Sequence, residues 1–152
     1  MRHVEILAQV SDRSASTIYP LLCDFKRYPG YSDAVRSVGI TAVRENQVVT
    51  DWEVNFQRGI LRWTEQDCFC PDTNTITFQQ LEGDIDHFSG EWMVRDTGSA
   101  CQIRFIADFD LGLPGLSDIL EPIAEQALRT NIQSILTGLL GEPVKFISAA
   151  PH

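Results

Sequence analysis

The segment GILRWTEQDCF, residues 59–69, sets two carboxylates two positions apart, Glu65 and Asp67, among aromatic and apolar residues. In an extended strand alternate side chains share a face, so both acids would project the same way, about 7 Å apart. Carboxylates drawn into a dry interior need partners or raised pKa values, and a raised pKa suits one of them to move protons near neutral pH. Leu61, Trp63 and Phe69 share this parity and hold most of the segment's apolar area. Burying such side chains is worth roughly 1.5–3 kcal/mol each, so this is the parity expected to face inward, with Glu65 as candidate proton carrier. The opposite parity would turn Arg62 inward, where a guanidinium could hold a carboxylate or an enolate oxygen; Arg62 is therefore a second candidate catalytic residue.

The chain offers little other chemistry. It has no Ser/His/Asp triad, phosphate-binding glycine loop or HExxH helix, and His87 falls on the outward parity of its strand. Cys23, Cys68, Cys70 and Cys101 form no CxxC pair, and the CFC triplet could supply at most half a metal site. Neither a metal nor a cofactor is expected.

The elements that must position these residues are legible from periodicity. Val4, Ile6, Ala8 and Val10 alternate as a half-buried strand. A helix follows, with Ile18, Leu21, Leu22 and Phe25 at helical spacing, Asp12 or Ser14 as N-cap, and Pro29 with Gly30 as its end. Pro20 fits only in a first turn or at a kink. Six more alternating segments come next, marked by Val38 to Ala42, Val48 to Phe56, Ile60 to Phe69, Ile76 to Gln80, Phe88 to Val94 and Ile103 to Phe109. The chain closes with a long helix whose stripe runs from Leu116 through Ile123, Leu128 and Ile132 to Leu139. Asp118 and Glu121 have capping-box spacing, Pro122 suits a first turn, and Gly141 with Pro143 forms the stop. Seven strands and two helices make an α+β domain, a mostly antiparallel sheet whose one apolar face only the last helix is long enough to cover.

Curling such a sheet around one helix can leave an interior gap. Trp52, Phe56, Phe78, Trp92, Phe105 and Phe109 are inward by parity, while Gly90, Ala107 and Gln80 on the same face make room. Periodicity alone fits a solid core equally well.

With 152 residues, 43% hydrophobic and 22% charged, the composition is that of one folded domain. Twenty-one acidic against 12 basic residues give a formal net charge of -9, and the scattered arginines form no patch, so nucleic acid is not an expected partner. No run is long and apolar enough to span a membrane, and MRHVEILAQV lacks the features of a secretion signal, which makes the cytoplasm the expected location.

IYPLLCDFKRYPGYSDAV, through Tyr19, Asp24, Tyr28 and Pro29, resembles the N-terminal signature of the START-like superfamily, in its branch of polyketide cyclases/aromatases and coenzyme-Q-binding proteins. LEGDIDHFSGEW, with Gly83, Gly90 and Trp92, and CQIRFIADFDL agree with it. The resemblance implies the helix-grip fold of START-like and Bet v 1-like proteins, a seven-stranded antiparallel sheet curled around the C-terminal helix, over residues 1–145 with a tail at 146–152. It also implies a cavity between sheet and helix for a hydrophobic or aromatic small molecule. Tyr28 and Tyr31 would stand at the mouth, with Trp52, Phe56, Trp63, Phe78, Trp92, Phe105, Leu116 and Ile123 as lining. Cyclases of this kind commonly use a pocket arginine, which cannot be aligned onto Arg58 or Arg62. Two functions stay open: aldol cyclisation and dehydration of a poly-β-ketone, with an acyl carrier protein as candidate partner, or non-catalytic carriage of a quinone, lipid or other apolar molecule. Oligomeric state is not readable from the sequence.

Overall fold

The computed structural model describes residues 1–141 and 144–147. Its elements are β1 (Arg2–Ser11), α1 (Ala15–Cys23), a 3-10 segment (Phe25–Gly30), β2 (Val35–Arg44), β3 (Gln47–Phe56), β4 (Gly59–Cys70), a short 3-10 turn (Pro71–Thr73), β5 (Thr75–Gly83), β6 (His87–Thr97), β7 (Ala100–Asp110), α2 (Ser117–Leu140) and β8 (Lys145–Ile147).

Period-two sequence becomes a continuous antiparallel ladder. The strand order is β2-β3-β4-β5-β6-β7-β1-β8, so each hairpin-linked strand lies beside its predecessor and only β1 travels, closing onto β7. The inward residues of that closing pair, Val4, Ile6, Ala8 and Val10 against Cys101, Ile103, Phe105, Ala107 and Phe109, are all buried. Seven strands were expected, and there are eight. The extra one is three exposed residues long and pairs with β1 through Leu7–Ile147 to Gln9–Lys145, too short to leave a periodic signal. It straddles the expected start of the tail at 146, while residues 148–152, and the expected stop at Pro143, lie outside the described residues.

The helices depart from expectation at their ends. Ser14 caps α1, its Oγ accepting from the Thr17 amide at 3.3 Å, whereas Asp12 sits at positive φ. α1 stops at Cys23, and the chain through Pro29 and Gly30 is a tighter 3-10 segment. Pro20 lies beyond the first turn of α1, as Pro122 does in α2, so each helix carries a missing amide donor. No capping box forms at α2. Leu116 is its N-cap without a side-chain bond, and Glu121 accepts from the Leu111 amide instead.

α2 buries only its second half, through Ile132, Ile135, Leu136, Leu139 and Leu140. At its N-cap Leu116 is 50% exposed and in its first half Ile123 is 39% exposed, so the expected uninterrupted stripe does not pack along its whole length. Gly90 is where sheet and aromatic layer approach most closely. A Cβ there would collide with the Ile106 carbonyl oxygen and lie 2.7 Å from the Phe78 ring. Gly90→Ala should therefore cost about 1–3 kcal/mol by overpacking, read as a lowered urea midpoint with an unchanged m-value.

Candidate active site

β4 runs between β3 and β5, and its inner parity carries Leu61, Trp63, Glu65, Asp67 and Phe69. Arg62, on the other parity, is exposed and bound to Glu53 at 2.6 Å, which removes it from the interior. On the β5 side the register shifts between Thr64–Glu82 and Glu65–Gln80, so that Leu81 bulges outward. Glu65 is 4% exposed and Asp67 1%.

Three neighbours hold these acids. Trp63 Nε1 donates to Glu65 Oε1 at 2.7 Å, and Thr50 Oγ1 donates to Asp67 Oδ2 at 2.6 Å. Trp52 Nε1 in turn donates to Thr50 Oγ1 at 2.7 Å, which fixes the direction of the threonine proton toward Asp67. The two indoles form a cross-strand pair with ring planes 4° apart and centroids at 6.0 Å. Their rings make wall and their N–H groups make polar contacts, so a phenyl ring at either position would leave a buried acceptor unserved.

Burial pushes the Glu65 carboxyl well above the ordinary range, and the hydrogen bond and charge of Asp67 push it the same way; only the Trp63 indole opposes them. Burial also raises Asp67, but its bonds from Glu65 and Thr50 pull it back. Burial and the neighbouring Asp67 thus make Glu65 the member of the pair that favours the protonated form, with Asp67 beside it as acceptor. Asp67 Oδ1 receives nothing from any other side chain, and the Glu65 hydroxyl is the donor able to fill it.

The pair opens into a chamber of about 70 Å3 walled by Phe25, Tyr28, Trp52, Trp63, Trp92 and Ile135 among others, with Phe78 and Phe105 also in contact. A second chamber, of about 90 Å3, adjoins it across Trp63, Phe88, Leu128 and Asn131 and contains Phe56 and Leu61. An open groove of about 800 Å3 between α2 and the loop at 30–34 reaches the same Asn131, and includes Tyr31 and Ile123. Asn131 Oδ1 accepts from Ser32 Oγ at 2.5 Å, which leaves its amide NH2 as the polar group available at the junction of all three spaces.

Residues 11–136 match the family described as polyketide cyclase / dehydrase and lipid transport. The chain belongs to that family. Its fold is similar to that of a protein from Thermus thermophilus (20% identity, TM-score 0.83, covering 91% of this chain and 94% of that one). It is also similar to the Zhui aromatase/cyclase from Streptomyces sp. R1128 (23%, 0.81, 91% and 91%) and to a START superfamily protein from Mycobacterium smegmatis (20%, 0.74, 90% and 94%). No curated protein shows a significant sequence match. No helix of the described residues is long and apolar enough to cross a membrane.

Within this polyketide cyclase/dehydrase family member, three expected positions differ from their predicted places. Tyr28 is not at the mouth: it is 2% exposed, its hydroxyl donates to the Leu22 carbonyl at 2.6 Å, and it forms chamber wall. The 3-10 segment turns it inward and leaves Tyr31 outside, its ring against Gly138 of α2. Leu116, at the exposed start of α2, touches neither chamber nor groove. Ile123 reaches the groove alone. Asn131 escaped the sequence reading, although with Ala124, Leu128 and Ile135 it shares a helical face that its polarity interrupts.

The native state holds a Glu65 proton that the unfolded chain releases at about pH 4.3, so between that pH and the raised folded value stability falls as pH rises. Glu65→Gln keeps a donor toward Asp67 and an acceptor for Trp63 without titrating. Its melting temperature should match the wild type at pH 4 and exceed it at pH 7.5 by roughly 2–4 °C, the shift about 1 kcal/mol gives in a chain of this size.

Proposed function

We propose that this chain is a cyclase/dehydratase that closes a ring in a short β-polyketone by aldol condensation and then expels water. The observation that carries the reading is the burial of two carboxyls, Glu65 and Asp67, side by side on β4 in the wall of an aromatic chamber, where burial raises both pKa values. Unshifted carboxylates would already be ionised at neutral pH and have no proton to give, and surface ones would work in bulk water.

The proton inventory closes over the two steps. In the first, the Asp67 carboxylate takes a proton from a methylene flanked by carbonyls, the resulting carbanion forms the new C–C bond, and Glu65 gives its proton to the carbonyl oxygen that becomes hydroxyl. The pair now holds its proton on Asp67. In the second, the Glu65 carboxylate takes the remaining proton from the same carbon, a C=C bond forms, and Asp67 protonates the departing hydroxyl, which leaves as water. Glu65 is protonated again and Asp67 ionised, as at the start. Asn131 NH2 supports the reading as a neutral donor able to hold a second carbonyl, and the flat walls of Trp52, Trp63 and Phe88 would keep the reacting carbons in near-attack geometry. The groove by Tyr31 and Ser32 is the route by which a chain carried on an acyl carrier protein would arrive.

Chamber size narrows the substrate. The two spaces together compare with the ~150 Å3 cavity that accommodates one benzene ring, so a compact tri- or tetraketide suits them without rearrangement and a long isoprenoid tail does not. One observation favours the alternative carrier reading, namely that the second chamber is lined by no ionisable group. Native mass spectrometry separates the two, because a carrier purified gently would arrive with its ligand.

The direct test is turnover of a triketide or tetraketide thioester followed by chromatography. Glu65→Gln and Asp67→Asn should each lower the cyclisation rate by about 10²–10⁴-fold, the usual contribution of a positioned acid or base. In the wild type the rate should fall as pH rises through the raised Glu65 pKa, where the acid form is lost. Unchanged rate and regiochemistry in Glu65→Gln would remove the assigned role.

A further inference from the structure

We infer that the interior admits its ligand only in uncharged form, as ketone, ester or thioester, and turns away the carboxylate of the same shape. The inference rests on the reading of the Glu65–Asp67 pair as an acid–base centre that substrate must approach, and concerns what else that centre selects.

All twelve lysines and arginines of the chain lie within the described residues, and none lines either chamber or the groove that leads to them. Arg2 and Arg129 are held by Glu125, Arg104 by Glu5, Arg62 by Glu53 and Arg27 by Asp24. Lys26, Arg44, Arg58 and Lys145 are exposed. His87, the histidine nearest in sequence to this region, bonds Ser89 Oγ at 3.0 Å and lines none of the three spaces. Among the described residues the charged groups along the route are acidic: Asp33 in the groove, then Glu65 and Asp67 at the end.

An anionic guest would thus surrender its water for walls of carbon and a pair that already carries negative charge. Among the described residues the neutral donor shared by all three spaces is the Asn131 amide, and one amide does not replace a carboxylate's hydration. The remaining way in is to bind as the protonated acid. For a ligand carboxyl with an ordinary pKa of about 4.3, only about one molecule in 500 is neutral at pH 7, which sets the size of the discrimination. Neutral carbonyl oxygens lose no charge on entry. A thioester-linked chain passes this filter and the hydrolysed free acid does not, so the same feature would keep a prematurely released chain from occupying the site.

Matched pairs test this without turnover. Acetophenone against benzoate, and 2-acetylnaphthalene against 2-naphthoate, differ by a methyl group in place of a charged oxygen. In calorimetric titrations of the whole protein at pH 7, at least one ketone should bind, and its carboxylate should bind at least ~100-fold more weakly, up to about 500-fold. A smaller ratio overturns the inference, as does failure of both ketones to bind. Asp67→Asn, once shown to unfold cooperatively, should narrow the ketone-to-carboxylate ratio by weakening the exclusion; an unchanged ratio would overturn the assignment to the pair. The inference and the catalytic reading fail separately: equal binding alongside Glu65-dependent turnover removes only the filter, and a preserved ratio alongside Glu65-independent turnover removes only the catalysis.

Discussion

Two carboxyl groups cannot lie side by side under an apolar roof unless one of them keeps its proton, and the interior of this chain is arranged around that constraint. Ionising both would set like charges together where water cannot spread the field. Retaining one proton turns the repulsion into a hydrogen bond, and the remaining lone pairs then dictate the neighbours. Thr50 and Trp63 must donate, Trp52 must orient Thr50, and all three stand on the two strands that the register sets side by side. Aromatic identity and polar satisfaction are thus one requirement at these positions, met by indoles where phenyl rings would have sufficed for volume.

The helix grip supplies the dry volume that this pair needs. α2 buries its second half, whose Asn131, Ile132 and Ile135 also wall the first chamber, and lets its first half pass over the second through Ala124, Ala127 and Leu128. A helix seated along its whole length would have filled the space with side chains. The exposure of Ile119 and Ile123 and the space beneath this half of α2 have one origin, the incomplete seating of a long amphipathic rod on a curved sheet. A family described by both cyclisation and lipid transport is consistent with such a frame, because the void comes from backbone architecture and the chemistry from a few side chains added to it.

What the sequence disclosed follows from the physics of its signals. The ladder from β1 to β7 was readable because period-two burial runs the length of β1 and β7 and through part of β3, β5 and β6. The inward face of β4 was favoured because Leu61, Trp63 and Phe69 outweigh their alternates in apolar area, which points Glu65 and Asp67 inward without excluding the other parity. Tyr28 was not readable, since a 3-10 segment changes which side a residue faces every position and the Tyr-Pro pair signals only a turn. Arg62 stayed open as long as the parity did. Asn131 carried a weak signal, a polar residue on the face shared by Leu128 and Ile135, easily taken for tolerance of polarity near a helix surface. The eighth strand, the bulge at Leu81 and the partition of the cavity into two rooms depend on tertiary packing and leave no local trace.

On the proposed reading, the outward placement of Arg62 restricts the kind of catalysis open to the site. A fixed guanidinium stabilises an enolate throughout its lifetime and asks little of the surrounding acids. Among the described residues no lysine or arginine lines the chambers, so on that reading negative charge developing on a substrate oxygen would be met by transfer of the shared proton, with Asn131 contributing a neutral bond at most. Such a site is economical in charge. It carries one negative charge before a proton transfer and the same after it, and substrate charge need not accumulate between. That economy also explains why the pair is buried so completely on β4: a proton can be shared as the working charge only where bulk water does not compete for it.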